Sequence, residues 1–373
     1  SLLICLRNLW RKNVVKIKTR TLESRFYIHQ KYNSLMNIKK TLSLNSSFLD
    51  TQDVPKIHLG KKAGFVSNFI LLLLFVALGF CAYYLYQYFP RETIPFNNFN
   101  LEKNTVNITN DLPSKQFYPR MRYQDKTINY HISESCSEEK AKSMQEALNI
   151  IELKTILKFN PTSKANAKIN ILCSDISPEA EEKNHFVAGE GGPSRVLNTT
   201  LYSIILEGKI ALYRDGKCNN PNVAIHELLH ALGFDHNNNK KSILYPTLEC
   251  DQEIDQEIIE SINRLYKDES LPDLEFTTAN ASKSGRYLNF HIEVLNQGLQ
   301  ESGSTKISVY ADGKLAETFD IGEISIGAKK ILDVENLNIP IKSKKINFVV
   351  DKENKIQEIY ENNNEISLSL ISQ

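Results

Sequence analysis

Eleven residues past the middle of the chain, His226-Glu227-Leu228-Leu229-His230-Ala231-Leu232-Gly233-Phe234-Asp235-His236, constrain its folding more than any other stretch. Residues four apart on a helix lie one above the other, so His226 and His230 can offer imidazole nitrogens to one metal ion, with Glu227 beside them. His236 joins only if the chain turns back. Gly233 allows this, because glycine accepts the positive φ that ends a helix. Asn220 as N-cap and Pro221 in the first turn predict a helix over 221–232. Val223, Ala224, Ile225, Leu228, Leu229, Ala231 and Leu232 make that helix apolar nearly all round, hence buried. A single histidine in such a place is usually a hydrogen-bonded core residue. Three histidines and a glutamate at this spacing specify a metal site and a base.

The motif resembles the metzincin superfamily of zinc endopeptidases, and within it the matrixin family. After His236, Ser242-Ile243-Leu244-Tyr245-Pro246 falls where matrixins carry their Met-turn, with Leu244 in the methionine position. In the family this turn is an apolar floor that gives the metal no ligand, and leucine roughly conserves methionine's volume, at a cost below about 1.5 kcal/mol. Ile254, Ile258, Ile262 and Leu265 then recur at helical spacing and end in Leu265-Tyr266, as matrixin catalytic domains often do. The resemblance implies zinc held by His226, His230 and His236, with a fourth position open to water whose pKa falls to about 7. Glu227 is the implied general base, taking the water's proton and passing it to the leaving amine. No Pro-Arg-Cys-Gly latch of latent matrixins occurs, which sets the chain apart from the matrix-degrading animal enzymes.

Residues 119–268 read as one α/β (α+β) domain, ordered strand, helix, strand, strand, helix, helix. Thr127 to Ile132 is a strand, Ser135 with Glu138 a capping box, and Ala141, Met144, Leu148 and Ile151 form one helix face. Lys168 to Cys173 is a buried strand. Lys209 to Tyr213 reads as a sheet strand, and the resemblance makes it the edge that pairs with extended substrate. Gly189-Glu190-Gly191-Gly192-Pro193 reads as a flexible loop, since no Gly-Lys-Ser/Thr follows it. Matrixin loops in this region bind structural metals, so calcium on carboxylates such as Glu190 or Asp215 is a further expectation. His131, His185 and His291 are too dispersed for a second zinc site.

Upstream, residues 63–90 carry no formal charge and are densest in apolar residues at Phe69 to Phe80. That exceeds the roughly 20 residues needed to span a bilayer. Tyr83, Tyr84, Tyr86 and Tyr88 gather at the far end, where aromatics favour the interface. With no small-residue cleavage site, the segment reads as an uncleaved anchor. Lys56, Lys61 and Lys62 precede it, and only Arg91 and Lys103 follow closely, so the positive-inside rule places 1–62 in the cytoplasm and the zinc domain outside. The first methionine is Met36, and no function is attached to the residues before it. Residues 91–118, rich in Asn, Thr and Pro, read as a stalk. Cys136, Cys173, Cys218 and Cys250 lie beyond the anchor, where disulfides persist. Four cysteines allow three connectivities, of which Cys218 with Cys250 is favoured because it brackets the zinc helix. Asn107-Ile108-Thr109, Asn198-Thr199-Thr200 and Asn280-Ala281-Ser282 are weak glycosylation sequons.

Past Leu271-Pro272 the period becomes two: Leu288, Phe290, Ile292 and Val294 alternate with polar residues, and similar runs occur at Lys306 to Tyr310, Ile346 to Val350 and Ile366 to Leu370. About seven strands in 269–373 imply an all-β sandwich of immunoglobulin type. Val294-Leu295-Asn296-Gln297-Gly298, and Val350-Asp351 followed by Ile356, Glu358, Glu361 and Asn362-Asn363, resemble the CARDB family of archaeal and bacterial surface proteins. The resemblance implies binding to surface proteins or glycans, or spacing. With 45 basic and 44 acidic residues, no basic field points to nucleic acid. The reading is therefore a membrane-anchored zinc endopeptidase acting on extracellular protein or peptide. The alternative is an inactive zinc-binding adhesion protein, favoured by Leu244 and opposed by the intact ligand set.

Overall fold

A computed structural model describes residues 16–22, 64–89, 91–98, 112–179, 186–214, 218 and 220–370. Strand β1 (Lys16–Leu22) comes first, then helix α1 (Gly64–Tyr88). None of the candidate span Asn68–Gln87 is buried, and Phe69, Leu72, Phe75, Leu78 and Phe80 are each more than half exposed. The exit of α1 is fastened: the Arg91 amide donates to the Ser284 hydroxyl at 3.1 Å, and the Arg91 guanidinium lies 4.8 Å from the Tyr86 ring centroid. The next residues do not form a stalk. Ile94–Asn98 is strand β2, which pairs with two different strands of the C-terminal sandwich. Asn and Pro hid this strand from the sequence, because its partners lie far away in the chain.

From Met121 to Leu265 a second sheet is built of β3 (Met121–Tyr123), β4 (Thr127–Ile132), β5 (Lys158–Pro161), β6 (Ile169–Cys173), β7 (Gly189–Asn198) and β8 (Ser203–Leu212). All pairs are parallel except β7 with β8. Helices α2 (Glu138–Lys154), α3 (Asn222–Ala231) and α4 (Gln256–Leu265) complete the unit. Met144, Ala147, Leu148 and Ile151 of α2 meet Leu228 and Leu229 of α3 and Ile258 and Ile262 of α4 in one buried core. The N-cap of α2 is Ser137, which accepts from the Lys140 amide, whereas Ser135 accepts from the Cys173 amide. Ile254 precedes α4 and packs half-buried on the core.

Two sequence expectations change here. β8 lies inside the sheet, between β7 on one side and β6 and β3 on the other, so 209–213 is not an edge. The strand that borders 209–212 on its outer side is β7, and the glycine cluster read as a loop is its first half. Gly189 and Gly191 extend there because side chains would collide with α3, so absent side chains mark a close approach rather than flexibility.

Disulfides join Cys136 to Cys173 and Cys218 to Cys250. The second ties the approach to α3 to the loop beyond the Ser242–Pro246 turn, as expected. Its partners are 32 residues apart, so Cys218→Ser with Cys250→Ser is expected to cost about 3–4 kcal/mol in urea unfolding. Asn198 and Asn280 are exposed, and Asn107 lies outside the described residues.

The sandwich consists of β9 (Leu274–Ser284), β10 (Tyr287–Asn296), β11 (Thr305–Ala311), β12 (Lys314–Gly322), β13 (Lys329–Asn338), β14 (Lys345–Val350) and β15 (Glu365–Leu370). One layer runs β13, β10, β9 and the other β15, β14, β11, β12, stitched along one side by β2. The residues behind the second resemblance knit its start together. Asn296, fully buried, accepts from the Asp273 and Gly298 amides and donates to the Gln300 and Ile324 carbonyls. Asp273 accepts from the Tyr360 amide at 3.0 Å, and Glu358 from the Leu274 amide at 2.5 Å.

Burial, with the charges of Asp273 and Glu361 adding to it, pushes Glu358 up to about 8, against the pull of its Leu274 and Asn364 donors. A carboxyl raised in the folded state contributes its full stability below its unfolded pKa, near 4.5, and loses it as pH rises through about 8. The unfolding midpoint is expected to fall between about pH 4.5 and 8, with a flatter profile in Glu358→Gln. An unchanged slope in that variant would remove Glu358 as the cause.

β1 pairs antiparallel with β13 at the outer edge of the first layer. It precedes α1 in the chain, whereas β13 follows it. A bilayer crossed once by α1 would separate the two strands, so this pairing and a single crossing exclude each other.

Candidate metal centre

Helix α3 runs Asn222–Ala231, with Pro221 rather than Asn220 at its N-cap and the Asn222 side chain holding the Glu249 carbonyl at 3.0 Å. Gly233 has φ +97°, and its amide returns to the His230 carbonyl at 2.9 Å, which makes the bend that brings His236 round. The three Nε2 atoms of His226, His230 and His236 converge, separated by 2.9, 3.1 and 3.2 Å. Among the described residues this is the one group of three side chains placed to hold a metal ion.

Each ring is aimed from behind. His226 Nδ1 lies 2.6 Å from the Ile243 carbonyl, and His230 Nδ1 lies 2.8 Å from the Phe234 carbonyl. A carbonyl can only accept, so each Nδ1 carries the proton and leaves Nε2 as a lone pair facing the others. The Ile243 carbonyl belongs to the Ser242–Pro246 turn, where Leu244 is buried, and the Leu244 carbonyl receives the Asn237 amide. His236 follows Asp235, whose carboxylate accepts the His236 amide and pairs with Lys115 at 2.5 Å. The upstream segment completes this side: the Phe117 amide bonds the Gly233 carbonyl, and the Phe117 ring lies 5.7 Å from that of His230.

Burial, followed by repulsion from the charged form of His230, drives His226 down to about 3, against the pull of the Ile243 carbonyl. Burial likewise lowers His230 and His236. Neutral imidazoles are the form that coordinates. Nitrogens about 2.0–2.1 Å from a tetrahedral zinc lie about 3.3 Å apart, close to the separations seen, so the donor set fits that ion.

Glu227, buried on the same helix, is pushed up to about 8 by burial and the nearby Glu190 charge, while the Gly191 amide bonds its carboxyl. A Cβ on Gly191 would lie 2.7 Å from the Glu227 carbonyl carbon, and one on Gly189 would lie 2.7 Å from Glu227 Cγ. The start of β7 therefore lies directly against the glutamate. Nothing in the sequence tied these glycines to Glu227. Glu190 accepts the Tyr213 hydroxyl at 2.7 Å, which occupies one of the two carboxylates read for calcium. Asp215 lies outside the described residues, and nothing supports calcium here. Of the other histidines downstream of α1, His131 meets the Thr162 carbonyl and His291 pairs with Asp333, while His185 lies outside the described residues.

Residues 122–267 match the Matrixin family model, a span that contains all three histidines and Glu227. Residues 271–368 match the CARDB model. Both resemblances read from the sequence are thus matched, each over the part of the chain that carried it. No curated protein matches. Among solved structures, the CARDB domain of a Pyrococcus furiosus protein in complex with di-metal ions is 25% identical, with 27% of this chain and 96% of that one covered and a TM-score of 0.23. A domain of a Methanosarcina acetivorans protein is 20% identical, with 28% and 94% covered and a TM-score of 0.23.

Proposed function

We propose that the chain is a membrane-anchored zinc endopeptidase that hydrolyses protein or peptide substrates outside the cell. The observation that carries this reading is the convergence of three neutral imidazoles beside a buried glutamate, within a span that matches the matrixin model. His226, His230 and His236 would hold the ion. Held there, zinc would supply a Lewis acid for a scissile carbonyl and would bring the pKa of a water to about 7. Glu227, held by the Gly191 amide, takes the proton of the attacking water and returns it to the leaving amine.

The anchor reading rests on magnitudes. Each large apolar side chain of α1 left in water forgoes about 1.5–3 kcal/mol, so the whole span forgoes some tens of kcal/mol. Pairing β1 with β13 offers roughly 0.5–1.5 kcal/mol per hydrogen bond and costs about 1–2 kcal/mol of backbone entropy per residue fixed. Crossing the membrane wins by a wide margin, which leaves the β13 edge without β1. The lysines before α1 then put 1–62 in the cytoplasm. Cysteine labelling of full-length protein in sealed vesicles tests this: reagent reaching residue 56 and residue 280 from the same side would overturn it.

The function is tested by assaying purified full-length protein on a diverse peptide library, with and without a chelator, alongside metal analysis. Chelator-sensitive cleavage and one zinc per chain are expected. Bound zinc without cleavage would favour the adhesion reading that Leu244 raises. Removing the ion should also lower thermal stability, since the apo site leaves two buried imidazoles, the less buried His236 and a buried carboxyl around no cation.

A further inference from the structure

The two ends of β7 do different things. Its first residues, Gly189 and Gly191, lie against Glu227, and its last, with the turn into β8, lie against the sandwich. Leu201 and Tyr202, with Ile204 of β8, pack with Leu299 into a separate buried cluster, joined by Leu197, Ile326, Ile359 and Tyr360. Leu299 is fully buried although it belongs to neither domain's main core. Polar contacts frame the cluster. The Thr199 hydroxyl donates to the Gln297 carbonyl at 3.0 Å, and the Gln124 amide side chain donates to the Leu299 carbonyl at 3.1 Å. The Leu197 methyls close over Gly327, where a Cβ would lie 3.1 Å away. Tyr202 is further clamped by Arg120, whose guanidinium donates to its hydroxyl at 3.0 Å and stacks 4.3 Å from its ring centroid.

The geometry points to the sandwich as a positioning part of the catalytic unit: Leu299, by gripping the Leu197–Tyr202 turn, sets where the free edge of β7 lies beside Glu227. β7 has β8 as its one strand partner among the described residues, and only its first half is also held to α3, by the Gly191 amide on the Glu227 carboxyl. A strand of this kind twists and shifts easily unless its ends are fixed. The pairing with β8 sets its register, one end rests on α3 through glycines that offer no side-chain grip beyond the Gly191 amide bond, and the hydrophobic clamp at the other end sets its height and tilt. An adhesive module on a tether would leave no such buried cluster. The inference rests on the peptidase reading for its kinetic consequence, but not for its structural one.

The test uses full-length protein with Leu299→Ala, Leu197→Ala and the volume-conserving Leu299→Met. Amide hydrogen exchange over 189–193 is followed with zinc content and peptide kinetics. Leu299→Ala and Leu197→Ala are expected to speed exchange there by about tenfold and to lower kcat/KM by a similar factor, with zinc content unchanged, because a mislaid edge carries the Gly191 amide away from the Glu227 carboxyl. Leu299→Met is expected to restore both. Exchange and kcat/KM that stay at the parental values would overturn the inference. Exchange that responds in a protein without turnover would uphold the coupling and reject the peptidase reading. Leu197→Ala, being half-exposed, keeps the test open if Leu299→Ala fails to fold.

Discussion

Glu227→Ala is expected to keep its zinc and lose peptide hydrolysis by at least about 10²–10⁴-fold, the usual worth of a positioned proton shuttle. The two outcomes separate because the glutamate shares a helix with two of the ligands but is not among them: the three Nε2 atoms meet without it. Its loss should not unfold the protein. The carboxyl sits in a buried pocket that raises its pKa to about 8, so removing it relieves a desolvation cost while orphaning only the Gly191 amide. Metal analysis and circular dichroism should match the parent while turnover vanishes. Normal turnover in zinc-loaded Glu227→Ala protein would reject the assignment.

Gly191→Ala is expected to be nearly as damaging, through space rather than chemistry. The added methyl would meet backbone atoms of Glu227 at 2.7–2.8 Å, inside contact distance, and backbone cannot swing aside as a side chain can. Either β7 leaves the helix or the helix leaves the sheet. Forcing a group into a filled space costs about 1–3 kcal/mol, and a displacement near 1 Å at a reacting group costs about 10²-fold in rate. Hence kcat/KM should fall by about that factor, with a lower melting temperature and zinc still bound. Gly192→Ala is the control, because a Cβ there meets nothing within 4 Å. Equal behaviour of the two variants would refute the close approach as the cause.

The helix, its glycine bend and the convergence of His226, His230 and His236 were all legible in the sequence, because they depend on spacing within eleven residues. The Cys218–Cys250 bridge was favoured from its position around that helix. The Ser242–Pro246 turn was placed by resemblance, and only the structure showed its work, with the Ile243 carbonyl fixing the tautomer of His226. The reading failed wherever a residue's role depends on a distant partner. Glycines at 189 and 191 look like a loop until α3 is seen pressing on them, and 209–213 looks like an edge until β6 and β7 are seen on either side. Ile94–Asn98 looked like stalk because its hydrogen bonds go to strands almost two hundred residues or more away.

What the sequence determined by itself was local: a helix and turn that gather three histidines, an apolar span longer than a bilayer needs, and an alternating β region. These follow from 3.6-residue and two-residue periods and from hydropathy, which act over short stretches. Only the tertiary structure decided which strand is the edge, what presses on Glu227 and what holds the far end of that strand. Those outcomes are set by non-local pairing and by packing in which the decisive residue is a glycine or a buried leucine, whose meaning lies in the neighbour it meets.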